Sequence, residues 1–176
     1  MKGDEYMAIH PDVLKKKYAN LSVEELEAEY EDLKKNYCFD SKEEQIDYLI
    51  KTYLYASHRT NTNSKRVALE ELLKEKTGRE YTFEERFLEI TPGDIINHVT
   101  NPREDPFWTT KLINFFNSLQ AVPVADKNDL LIGMLQDRSI FNEFTKDIVK
   151  SNDVRGIYER YKEIVRNYRI NNSIKS

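Results

Sequence analysis

The chain has 176 residues, 33% of them charged and 39% hydrophobic, with 11% aromatic residues and only five glycines and five prolines. It is too aromatic for a disordered chain and too poor in turn-forming residues for a strand-rich sandwich or barrel. Cys38 is the single cysteine, which excludes an internal disulfide, and no apolar run approaches the roughly 18 residues that cross a bilayer, so the sequence reads as a cytoplasmic protein without a membrane segment.

The net charge of −4 is spread unevenly: residues 1–50 carry seven basic against thirteen acidic side chains, whereas residues 155–176 carry six basic and two acidic. Pro11 opens a short first helix with Val13, Leu14 and Tyr18 turned inward. Ser22 followed by Glu25 has the spacing of a capping box, in which hydroxyl and carboxylate satisfy each other's backbone amides, and starts a helix at Val23. Its apolar residues Val23, Leu26, Tyr30, Leu33 and Tyr37 fall within an arc of roughly 80°. Ser41 and Glu44 repeat the box ahead of a stripe of Ile46, Leu49, Ile50, Tyr53 and Leu54. The short link between the two helices predicts an antiparallel N-terminal hairpin.

The polar run 57–64 reads as a loop and candidate hinge, because its side chains compete with the backbone for hydrogen bonds. A helix over about 65–76 ends at Gly78. Short helices are expected at 83–89, capped by Thr82 and Glu85, and at 92–99, capped by Thr91 with Asp94. The segment 107–119 is too apolar for a helix with one wet face, and Trp108, Phe115, Phe116 and Leu135 are expected to be buried. Helices over about 127–137, 140–150 and 153–169 complete the chain, with a frayed tail after Ile170. The expected fold is all-α, an irregular bundle of seven to nine helices with an N-terminal hairpin and a long C-terminal helix. It divides into a lobe over 1–57 and a core over 65–170, or forms one domain.

Nothing in the pattern points to catalysis or to a bound cofactor or metal. The histidines His10, His58 and His98 lie on separate elements, and the best candidate pair, Asp94 with His98, has the spacing of an ordinary helix-surface pair. No two glycines form a phosphate-binding turn, and Cys38 reads as a half-buried small hydrophobe. The paired carboxylates Glu24-Glu25, Glu43-Glu44 and Glu84-Glu85 fall in first helical turns, where they complement the helix dipole.

Two charged faces are the candidate sites. Glu24, Glu25, Glu31 and Asp32 lie opposite the apolar seam of the second helix, and suit a basic partner protein. Arg155, Lys162, Arg166 and Arg169 lie within roughly 60° on the last helix, and with Arg59, Lys65 and Arg66 offer an alternative contact for nucleic acid. The same cations could instead pair with carboxylates inside the fold. The leading expectation is a non-enzymatic protein-binding module, an adaptor, inhibitor or regulatory subunit. The Lys, Asn, Ile and Tyr content suggests a phage or mobile-element source. A nucleic-acid accessory protein is the second reading, and a helical enzyme whose carboxylates are assembled by the fold is the third.

Overall fold

A computed structural model describes residues 9–52 and 58–175, with the backbone alone for 58–60 and 173–175. The described residues form nine α-helices: α1 (Pro11–Tyr18), α2 (Val23–Lys34), α3 (Lys42–Thr52), α4 (His58–Thr77), α5 (Pro92–Val99), α6 (Pro106–Asn117), α7 (Val124–Leu135), α8 (Arg138–Lys150) and α9 (Val154–Lys175). The all-α expectation holds, with a long C-terminal helix. Local cap chemistry sets several starts. Ser22 and Glu25 form a reciprocal capping box on α2, Thr91 and Asp94 form another on α5, and the Ser41 hydroxyl accepts from the Glu44 amide at 3.2 Å. Gly78, at φ 75°, ends α4 in the left-handed region that side chains disfavour.

The helices separate into two packing units that interleave along the chain. In the first, α1 and α2 both lie against α4. The apolar seam of α2 is buried as expected, but its partner is α4: Leu26, Tyr30, Leu33 and Tyr37 form one cluster with Leu69, Leu72 and Leu73. The expected antiparallel hairpin of α2 with α3 is therefore corrected, and α3 belongs to the second unit. Of the α3 stripe, Ile46 is buried and Leu49 and Ile50 are half-buried, while Tyr53 and Leu54 lie outside the described residues.

Two further expectations for the first unit are overturned. Residues 58–64 are helical, not a loop. Thr62 and Ser64 are buried, and the Asn61 side chain accepts from the Ile9 amide at 2.8 Å. Tertiary partners thus absorb the polar groups that would otherwise compete with the helix. Residues 83–89 are not helical despite the Thr82–Glu85 spacing, and Arg86 forms an isolated bridge with Cys38. There the Arg86 amide donates to Tyr37 O at 2.7 Å and the Phe39 amide donates to Arg86 O at 3.0 Å. Tyr81 and Phe83 meet the Tyr30 ring edge-on, and Glu85 turns to Arg66 instead of capping. Burial of two aromatic rings outweighs a cap interaction of about 1 kcal/mol.

In the second unit α5, α7 and α9 are packed in succession, α3 rests on α5 and α7, and α8 bridges α6, α7 and α9. The core is aromatic: Phe144 lies edge-on to Phe115 and Tyr161, with centroids 5.0 and 5.3 Å away. Phe115, Phe116 and Leu135 are buried as expected, whereas Trp108 is only half-buried and its neighbour Phe107 is 59% exposed. Both sit in the first turn of α6, at the end of the helix, where fewer elements can cover them. Gly133 is buried in α7, and a Cβ there would overlap Val165 Cγ1 of α9. Beyond Ile170 the backbone stays helical as far as Lys175, longer than the expected end near 169.

Candidate functional site

The acidic face on α2 is built by helix periodicity. Burying Leu26, Tyr30 and Leu33 turns Glu24, Glu25, Glu31 and Asp32 outward, and all four are exposed. They are not equivalent. The Glu25 carboxylate accepts from the Ser22 amide at 3.0 Å, and that amide together with the Ser22 hydroxyl holds its pKa below the usual carboxylate value. It is committed to the cap. Glu31 pairs with Lys34 at 2.8 Å and Asp32 with Lys35 at 3.4 Å, both three residues apart on the same helix. Such exposed pairs are worth at most about 1 kcal/mol, so an incoming cation can replace the lysines. Glu24 makes no ion pair with any described residue.

The basic residues divide differently from their sequence grouping. Arg169 lies against α7, where Nη1 donates to both carboxylate oxygens of Asp129 at 3.0 and 2.9 Å and Nη2 donates to Asp129 O at 3.2 Å. Lys65 pairs with Glu29 at 2.8 Å. Burial works to lower the Lys65 pKa but is outweighed by its interactions with Glu29 and Tyr18 taken together, so the pKa rises. Arg66 bonds Glu70 and Glu85, each at 3.2 Å, and lies 3.9 Å from the Phe83 ring centroid. These three cations bind their own fold. Arg59 has no described side chain. Arg155 makes a long contact of 3.7 Å with Glu159, Arg166 pairs with Glu163 at 3.4 Å, and Lys162 lies over the Tyr158 ring. Only this remnant of the C-terminal stripe faces solvent.

No family model, curated protein or solved structure matches this chain.

The remaining candidate chemistry resolves into structure. Asp94 and His98 do not pair with each other: Asp94 meets Lys42 at 3.1 Å and His98 meets Asp47 at 2.7 Å, so both tie α5 to α3. Cys38 is half-buried, with Sγ donating to Glu84 O. Among the described residues, no three His, Cys, Asp or Glu side chains are grouped to hold a metal ion. An open groove of about 570 Å³ between α7 and α9 does collect Asp126, Asp129, Glu159 and Glu163, but Lys162, Arg166 and Arg169 are interleaved with them. No helix among the described residues is long and apolar enough to cross a membrane.

Residues missed by the sequence reading are Arg138 and Lys146 on α8. They flank a groove floored by Trp108 and Phe141 and make no ion pair with any described residue. Their neighbours Asp137 and Glu143 disguise them as ordinary helix-surface charge. The available signal was the amphipathic spacing of Phe141, Phe144 and Ile148, which fixes the outward side of α8.

Proposed function

We propose that this chain binds another protein through the outer face of α2, acting as an adaptor, inhibitor or regulatory subunit without chemistry of its own. The observation that carries the reading is the contrast between the two charged surfaces. Glu24, Glu31 and Asp32 are exposed and held only by weak pairs or none, whereas Arg169, Lys65 and Arg66 are engaged inside the fold. A nucleic-acid surface built from the basic set thereby loses three of its seven cations, in a chain whose net charge is already −4.

The test is co-purification from host extract with the wild-type chain, a Glu24→Lys/Glu31→Lys/Asp32→Lys variant, and an Arg155→Ala/Lys162→Ala/Arg166→Ala variant. Glu25 is spared because it caps α2. A basic protein should be retained by the wild type and the second variant and lost from the first, at unchanged melting temperature. Retention by the first variant and loss from the second, or a mobility shift of DNA that steepens at low salt, would overturn the reading.

A further inference from the structure

We propose that the groove between α6 and α8 is a second binding surface, and that it takes an extended acidic peptide in which an apolar residue is flanked two positions away on each side by a carboxylate. It is independent of the α2 face and lies wholly within the second unit.

The groove measures about 520 Å³, and Trp108, Leu112 and Phe141 line it as an apolar floor. Arg138 and Lys146 line the same groove from α8. Both are exposed, and neither is paired with a carboxylate of any described residue. Asp105 is the one acidic side chain in the lining, so the groove is net positive in a chain of net charge −4. Asn101, Asn142 and Thr145 add amide and hydroxyl groups that can meet a peptide backbone.

The spacing selects the ligand. Arg138 and Lys146 are eight residues apart on one helix, which at about 1.5 Å per residue separates them by about 12 Å. An extended peptide advances about 3.3 Å per residue, so side chains four positions apart stand about 13 Å apart and point the same way. The residue midway between them points to that side as well, and meets the floor. One apolar side chain and two carboxylates on a single peptide face therefore match one floor and two cations. A nucleic-acid strand fits less well. It carries a phosphate at every nucleotide against only two cations, and it places Asp105 beside them.

Trp108 is the only tryptophan, so its fluorescence reports occupancy of this groove in the full-length chain. The probe is the peptide Glu-Ser-Leu-Ser-Glu with blocked ends, titrated beside versions with lysine for both glutamates, with serine for leucine, and with one serine deleted to break the spacing. A ten-nucleotide oligothymidine is titrated in parallel. Saturable binding is expected for the first peptide alone, weakened at least tenfold by each change. The Arg138→Glu/Lys146→Glu variant should lose about tenfold in affinity, up to about fivefold per lost pair. Its melting temperature should hold, because both positions are exposed and a carboxylate suits the first turn of α8. Reversal of Glu24, Glu31 and Asp32 should leave the titration unchanged, which separates failure here from failure of the α2 reading. The proposal is overturned by no saturable signal, by equal binding of the shortened or leucine-free peptide, by indifference to the double reversal, or by tighter binding of oligothymidine.

Discussion

Replacing Arg169 with alanine should separate structure from surface within the C-terminal stripe. The substitution removes two charge-assisted bonds to the Asp129 carboxylate and one to its carbonyl. It also removes the guanidinium that lies against Gly133. A fully buried pair broken on one side costs about 3 to 5 kcal/mol, and an exposed one at most about 1. The Arg169 side chain is 20% exposed and that of Asp129 is 42% exposed, so the expected cost lies between these limits, at about 2 kcal/mol. For a chain of this length that corresponds to about 4 to 8 °C in Tm. The assay is urea and thermal unfolding followed by Trp108 fluorescence, since Trp108 and Arg169 share a unit. Arg155→Ala and Arg166→Ala should stay within about 0.5 kcal/mol of wild type. Asp129→Asn should destabilise on its own, and combined with Arg169→Ala should add less than the sum of the two. Equal and negligible effects of all three arginine substitutions would refute the structural assignment of Arg169 and return it to the surface stripe.

Gly133→Ala should cost about 1 to 3 kcal/mol by forcing α9 away from α7, read as a lower urea midpoint. Trp108→Ala, at a half-buried position, should cost about 2 kcal/mol by circular dichroism, clearly less than the 3 to 5 kcal/mol expected for the fully buried Phe116→Ala. The pKa of Glu25 is lowered by the Ser22 donors; for Asp94, burial works to raise the value but is outweighed by the Thr91 donors and Lys42. Depressed folded values mean that their stabilisation is complete above the ordinary values of 4.5 and 3.8 and is lost as the pH falls through the lower folded ones. Glu25→Gln and Asp94→Asn should accordingly flatten the acid limb of a stability profile taken from pH 5 downward. Cys38→Ser should fold with or without reductant, at a Tm close to wild type.

Legibility tracked the range of the interaction. Boundaries set by one side chain and a nearby amide, such as Ser22 with Glu25 or Thr91 with Asp94, were read correctly because both partners lie within four residues. The same reasoning failed at Thr82 and Glu85, where Arg86 pairs with a backbone more than forty residues earlier, and at residues 58–64, whose partners include Ile9. The buried face of α2 followed from periodicity, but periodicity does not say what covers a face, and the partner of α2 was misassigned. For the charged surfaces, sequence gave outward direction and not engagement. Arg166 and Arg169 are neighbours on one stripe, yet only Arg169 reaches a carboxylate on another helix.

Interleaving of the two units has a consequence for synthesis on the ribosome. Helix α3 is made early but packs on α5 and α7, and 83 residues separate Thr52 from Leu135. At about 5 to 20 residues per second, the apolar stripe of α3 waits about 4 to 17 s before its last partner has been translated. Helix–coil relaxation is far faster than that delay, but an isolated helix of 11 residues is marginal in water, so α3 gains lasting structure only once its partners arrive. Slow codons within α3 itself would do nothing to shorten the exposure. Faster translation of residues 53–135 would, which makes elongation rate over that stretch the variable that sets how long the apolar stripe of α3 stays uncovered.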